Sequence, residues 1–419
     1  MHVTTMSPMH AWPHPRIPDL PTSAEAGRVR IHDTSTGKSV EVGPRSGEAR
    51  LYVCGITPYD ATHMGHANTY VTFDLLNRQW RDAGLEVNYA QNITDIDDPL
   101  LERAEATDVD WQELAASQVE LFRGDMVALD VIPPQHYIGA VEGIPLVLDA
   151  LDRMPADMLY QVDGEYRDWY FTAPRVSDFG DVAHLDLDTQ LALFAERGGD
   201  PDREGKRHPL DTLVWQLARP GEPAWDGRNR GSGRPGWHIE CTAIANEYLG
   251  PRVDVQGGGS DLAFPHHEMS AAQSHAITGE PFATAYVHAG MVGLDGEKMS
   301  KSKGNLVKVS ELTAEGVDAR AIRLVLSAHH YRTDWSWTQE SLDEATARLD
   351  QWRRAIGRDS GPAGAPVLVD MRHALRDDLN APAALAAVDA WATAEGDDTT
   401  APSLIADAVH ALLGIDLRP

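Results

Sequence analysis

The sequence predicts an α/β fold in which a parallel sheet is split by an insertion and followed by a helical region. Three observations carry this. A strand pattern, an amphipathic helix and a second strand follow one another between residues 49 and 93, the order that builds a parallel sheet. Strand character returns at 252–256 and near 285–288, after a mixed stretch at 136–229 rich in Asp, Gly and Pro. From about 316 onward the pattern is helical and rich in Ala and Leu, broken at Gly357–Pro366.

Taken in order, residues 1–27 are Pro-rich and aperiodic and read as a loose arm. Val29 to Val42 alternates apolar and polar residues across Asp33-Thr34-Ser35-Thr36-Gly37, a hairpin pattern. Ala49 to Gly55 reads as a short buried strand ending in a glycine turn. A helix spans about Gly65 to Asp82, with Tyr70, Phe73, Leu76 and Trp80 on one face and Gly84 as its stop. Val87 to Ile93 is the second strand.

At 419 residues the chain is long enough for two or three domains with a large core. No apolar run approaches the roughly 18 residues of a membrane span, and the N-terminus lacks a basic segment followed by an apolar one. A soluble, cytoplasmic protein is expected, without a membrane partner. The 64 acidic and 36 basic residues give a net charge of −28, which repels phosphodiester backbones and argues against nucleic acid as a partner. Two cysteines, Cys54 and Cys241, cannot make a disulfide framework. Lysine is scarce, yet Lys298, Lys301, Lys303 and Lys308 fall within eleven residues, while all other basic residues except Lys38 and Lys206 are arginine. Such clustering points to a need for compact, flexible ammonium groups at that spot rather than a merely solvated loop.

Two segments fit phosphate chemistry. His63-Met64-Gly65-His66 lies between a strand and a helix, where backbone N–H groups, two imidazoles and a glycine cradle an anion. Gly296 to Asn305 reads GEKMSKSKGN, a loop whose lysines and hydroxyls can close on a triphosphate. In this order and about 230 positions apart, they resemble the HIGH and KMSKS motifs of class I aminoacyl-tRNA synthetases. The resemblance implies a Rossmann-like catalytic domain, split by a connective insertion, that activates a carboxylate with ATP and Mg²⁺. The expected division is an N-terminal arm and hairpin (1–47), the split catalytic domain (48–135 and 230–315) and the insertion (136–229). A stem-contact-like segment (316–345) and a C-terminal helical domain (346–419) follow.

Cys54, Cys241 in GRPGWHIEC and His266 in PHHE are three good Zn²⁺ ligands that leave one position for a substrate atom. A thiolate suits that position, which would separate cysteine from serine. The plainer alternative is two buried cysteines and a core histidine. The stretches CGITPYDATHMGH, NITDIDD, GRPGWHIEC and GGGSDLAFPHHE resemble cysteinyl-tRNA synthetases over roughly residues 50–340. Glu196 to Pro201, an exposed Gly-rich loop by its residues alone, is similar to the ERGGDP motif of the cysteine ligases of mycothiol biosynthesis. Three departures from the synthetases agree: Pro99 after Asp97-Asp98, Ser270 in place of a carboxylate, and a tail after 365 with nine acidic residues and three arginines.

The resemblance implies that Thr57, Thr94 and Trp237 shape a cysteine pocket, that the Val292 backbone faces adenine, and that His63, His66, Lys298 and Lys301 stabilise the charge of adenylate formation. Gly55, Ile56, Thr69, Asn92 and Ile93 are implied as further contacts to substrate or adenylate, together with Cys54. The run Gly257-Gly258-Gly259-Ser260-Asp261 follows a strand pattern, so that backbone can approach the nucleotide at Gly259 and Ser260 and Asp261 can accept from ribose hydroxyls. The expected reaction joins cysteine to the amine of glucosaminyl-inositol through cysteinyl-AMP, in a monomer. The alternatives are a short cysteinyl-tRNA synthetase and a silent paralogue that binds zinc or nucleotide.

Overall fold

The computed structural model describes residues 9–22, 27–59, 62–299 and 305–418. Strands β1 (Arg30–Asp33) and β2 (Lys38–Glu41) form the expected hairpin. Its turn is organised by the buried Asp33 carboxylate, which accepts from the Ser35 and Thr36 hydroxyls at 2.7 Å each. Strand β3 (Glu48–Val53), helix α1 (Met64–Asp82) and strand β4 (Glu86–Ile93) make a parallel unit. After helices α2 (Asp98–Thr107) and α3 (Trp111–Ala128), strand β5 (His136–Gly139) extends the same sheet. Residue 136 was expected to open the insertion. Four residues behind Pro133-Pro134 are too few to show a strand period, so the sheet claims them only through pairing with β4.

Helix α4 (Ala140–Arg153) leads into a second, antiparallel sheet of β6 (Leu159–Gln161), β7 (Trp169–Phe171), β8 (Thr212–Leu217) and β9 (Gly233–Pro235). Helix α5 (Leu187–Glu196) lies between β7 and β8 in the chain, and β9 falls inside the span expected for the catalytic domain. Helix α6 (Trp237–Leu249), β10 (Val253–Gly259), α7 (Glu268–Thr278) and β11 (Ala283–Ala289) complete the parallel sheet, in the order β11-β10-β3-β4-β5. Strands β12 (Val292–Leu294), β13 (Glu297–Lys298) and β14 (Trp335–Trp337) form a small third sheet, with α8 (Val309–Ala314) and α9 (Ala319–Ser327) in between. The helical reading from 316 onward missed β14, a three-residue strand held by parallel pairing to β12. Helices α10 (Gln339–Ile356), α11 (Gly364–Arg376), α12 (Ala381–Thr393) and α13 (Ala401–Leu413) close the chain.

Strand β3 lies between β4, its successor in the chain, and β10, which comes much later. In such a sheet the crevice outside the carboxyl ends of the strands at this switch point is where ligands bind. Cys54 stands at the end of β3 and Ser260 just past β10.

Helix α1 was expected to bury one face, but it is buried almost all round, because the sheet covers one side and α9, α11 and α13 the other. Its polar residues are therefore paired internally. Asp74 accepts from Arg78 at 2.6 Å, from Arg323, and from the Ile132 N–H at 2.8 Å. Arg78 and Arg323 also donate to the carbonyls of His410 (2.8 Å) and Leu413 (2.6 Å), which ties the C-terminal helices to the sheet. Burial alone would raise the Asp74 pKa, but Arg78 and Arg323 hold it below the usual carboxylate range. A depressed folded pKa contributes stability above the unfolded value near 4, lost as pH falls through the folded one. Asp74→Asn is expected to cost about 3–5 kcal/mol in denaturant unfolding at neutral pH, and the gap to the parent should narrow below about pH 4. A cost below about 1 kcal/mol would show that the two guanidinium groups do not need this counter-charge.

Candidate active site

At the switch point Cys54 Sγ, Cys241 Sγ and a His266 ring nitrogen all lie within 4.8 Å of one another, and all three residues are buried. Cys241 is on the second turn of α6, and His266 sits in the kinked segment Ala263–His267 that leads into α7, with its Nε2 3.2 Å from Cys241 Sγ. Two soft sulfurs and an imidazole at this spacing fit Zn²⁺ with one coordination position left over. Ser270 is buried with its hydroxyl toward the His238 carbonyl. Glu268 accepts from the N–H groups of Gly180, Val182 and Ala183 at 2.7, 3.2 and 3.0 Å, so it anchors the insertion instead of joining the cluster.

A layer of histidines that the sequence reading did not name surrounds these three. His266 Nδ1 is 2.8 Å from His238 Nδ1. His267 Nε2 is 3.3 Å from Cys54 Sγ, its Nδ1 is 2.8 Å from His288 Nε2, and His288 Nδ1 meets the Thr34 hydroxyl at 2.6 Å. Such outer partners fix ring orientation and tune ligands. Burial drives His238 and His267 well below the ordinary histidine range and His288 down to about 4, so these rings are neutral at pH 7. Burial pushes the Cys54 thiol up. Cys241 is equally buried, but hydrogen bonding from Cys54 and the adjacent His266 ring draw its thiol down. The doubled histidine of PHHE was a usable signal for His267, whereas nothing around His288 or Thr34 marked them.

His63 caps α1, its Nδ1 accepting from the Gly65 N–H at 3.1 Å, and its ring stacks on His66 with centroids 3.8 Å apart. A Cβ at Gly65 would come within 2.9 Å of the His63 ring, so glycine keeps this helix N-terminus open to an anion. The chain leaving the lysine-rich segment is stitched to the same place: the Met64 N–H donates to Val307 O (2.9 Å) and the Val309 N–H to Thr62 O (3.1 Å). On its entering side Lys298 closes β13, while Lys301 lies outside the described residues.

Asn92 locks the wall beside Cys54. Its Oδ1 accepts from the Gly55 N–H (2.8 Å) and the Tyr52 hydroxyl (3.1 Å), and its Nδ2 donates to Thr94 Oγ1 (3.2 Å). A Cβ at Gly55 would fall 1.6 Å from Asn92 O, so only glycine fits. The Thr94 N–H donates to Ile56 O at 3.0 Å, and Ile93 is fully buried between them. Trp237 stacks on His266 at 4.2 Å and lines, with Thr57, a cavity of about 670 Å³. A second cavity, of about 470 Å³, is lined by Ser260, Asp261 and Val292. Thr69 donates to Gly65 O at 3.2 Å and lies 3.9 Å from the Cβ position of Gly259. The glycine run 257–259 belongs to β10 instead of following it: a Cβ on Gly257 would meet the Phe73 ring at 2.3 Å, and one on Gly258 the His267 ring at 3.0 Å. These glycines make room for α1 and the histidine layer.

Arg197 was also missed as a site residue. It sits in the loop that caps α5, donates to the carbonyls of Asp261 (2.6 Å) and Phe264, and borders both cavities.

Residues 41–347 match the family described as the tRNA synthetases class I (C) catalytic domain. The Mycobacterium tuberculosis methionyl-tRNA synthetase, solved with methionyl-adenylate, superposes with a TM-score of 0.61 at 15% identity, over 88% of this chain and 92% of that one. Fold and site thus define a catalytic domain of the class I synthetase kind. A Kribbella flavida protein is 61% identical over 412 residues, and a Kineococcus radiotolerans protein 58% over 420, each alignment covering 98% of this chain and all of the relative. Both are named L-cysteine:1D-myo-inositol 2-amino-2-deoxy-alpha-D-glucopyranoside ligase, and the chain belongs to this ligase family.

Proposed function

We propose that the chain activates L-cysteine with ATP and transfers it to the amine of glucosaminyl-inositol, with cysteinyl-AMP between the two steps. The observation that carries this is the buried Cys54–Cys241–His266 cluster beside the α1 N-terminus. Zn²⁺ held by those three residues would bind the cysteine sulfur and so reject serine. Thr57, Thr94 and Trp237 shape the pocket around the amino acid. The Val292 backbone faces adenine, Asp261 takes the ribose hydroxyls, and Mg²⁺ accompanies the phosphates. The cysteine carboxylate attacks the α-phosphorus, and pyrophosphate leaves. His63, His66, Lys298 and Lys301 offset the charge that develops. The sugar amine then attacks the acyl carbon, the amide C–N bond forms, and the C–O bond to AMP breaks.

A tRNA acceptor fits poorly. Of the three arginines after residue 365, Arg372 and Arg376 are buried against Asp82 at 2.7 Å each and Arg418 pairs with Asp407 at 2.7 Å. Helices α11 to α13 therefore present no free cationic track for phosphates among the described residues. No helix of the described residues is long and apolar enough to cross a membrane. In this reading the enzyme is a cytoplasmic monomer working on small molecules, without nucleic acid or membrane.

With purified enzyme, amide formation on glucosaminyl-inositol is expected to stay nearly constant between about 50 and 200 mM salt, a range over which phosphate-dependent binding falls steeply. Labelled cysteine appearing on tRNA, with no amide on the amino sugar, would overturn the reading in favour of the synthetase.

A further inference from the structure

The larger cavity runs from Thr57, Trp237 and Glu240 to the underside of the Glu196–Asp200 loop, and the steps above use only its inner edge. Its wall carries seven carboxylates and four guanidinium groups. The guanidinium groups are committed within the protein. Arg203 and Arg219 both pair with Asp168, at 3.3 and 2.7 Å, and Arg234 pairs with Asp98 and, at 3.3 Å, with Glu222. Arg197 caps backbone carbonyls. A phosphate would meet carboxylates and no uncommitted cation here. A hydroxyl-rich body bearing one ammonium would meet the carboxylates of Asp97, Glu102, Glu196 and Glu240, beyond those already paired with arginine. At the inner end Glu240 is only 2% exposed, and one of its carboxylate oxygens has no hydrogen-bond partner. Asp97 faces the same cavity, its carboxylate engaged by the Asp98 N–H at 2.8 Å.

We propose that this cavity is the acceptor site, with the amine of an amino sugar bound at the Glu240–Asp97 end and its polyol beneath the Glu196–Asp200 loop, beside Gln216 on β8. The assignment rests on the ligase reading and adds where the acceptor lies. It also explains the position of Arg197, which separates the nucleotide cavity from this one, so that an acyl group formed at their junction is reached from both sides.

Two variants test it, one from each end of the cavity. In Gln216→Leu and in Glu240→Gln, KM for glucosaminyl-inositol should rise about tenfold, the scale of one lost polar contact, while KM for cysteine in pyrophosphate exchange stays within about twofold. Exchange also reports that each variant is folded. Calorimetric titration of glucosaminyl-inositol into enzyme holding a non-hydrolysable cysteinyl-adenylate analogue should show the same loss of affinity. Unchanged acceptor KM and unchanged calorimetric affinity in both variants would refute the site. Wild-type enzyme that exchanges pyrophosphate but forms no amide would instead refute the ligase reading.

Discussion

Cys241→Ala is expected to abolish both stoichiometric zinc and cysteine-dependent pyrophosphate exchange, with a loss of metal affinity well beyond the 10–100-fold typical of outer-layer changes. Cys241 lies within a helix and is 1% exposed, so alanine should fold in its place and leave the helix intact. What disappears is the Cys241 sulfur, which lies against Cys54 and 3.2 Å from the His266 ring in a cluster suited to a soft metal. The two remaining ligands cannot hold the ion in competition with water. Elemental analysis of the folded variant decides the matter: one zinc per chain would remove Cys241 from the ligand set. His288→Ala gives a graded comparison. It deletes the partner behind His267 and the contact to the Thr34 hydroxyl but no residue of the Cys54–Cys241–His266 cluster, so zinc should be weakened by no more than that 10–100-fold range and exchange should recover when zinc is added.

The Cys54–Cys241–His266 cluster was legible because the chain has only two cysteines and each of the three residues stands in a distinctive stretch. The same holds for His63 and His66, whose position before an amphipathic helix needed no tertiary information. Legibility failed where a role comes from packing between distant segments. His288 is an ordinary strand residue until Thr34, more than 250 positions earlier, and His267 meet its two nitrogens. Arg197 looked exposed in its loop, because its backbone-carbonyl partners lie more than 60 positions away. Strands β5 and β14 are too short for periodicity and exist through their neighbours. Helix α1 kept its predicted apolar face, yet the burial of Asp74, Arg78 and Arg323 together could not be read from any local pattern.

Lys298→Ala and Lys301→Ala should each slow pyrophosphate exchange by about 10²–10³ while leaving cysteine affinity nearly unchanged, since such donors act mainly on charge present in the transition state. The flanks of the lysine-rich segment support this. One side ends in the β12–β13 hairpin, and the other is hydrogen-bonded to residues 62 and 64 at the α1 N-terminus, next to the stacked His63–His66 pair. The leaving flank thus lies against a helix N-terminus, the place where an anion would bind. Lysine is also the right cation for this task, since a compact charge on a flexible stem can follow a leaving pyrophosphate as it separates. Arginine at either position should therefore restore only part of the rate. Single-turnover measurement of adenylate formation, with cysteine affinity measured separately, distinguishes the roles. A normal adenylation rate with weakened cysteine binding would mean that the lysines hold substrate and do not stabilise the transition state.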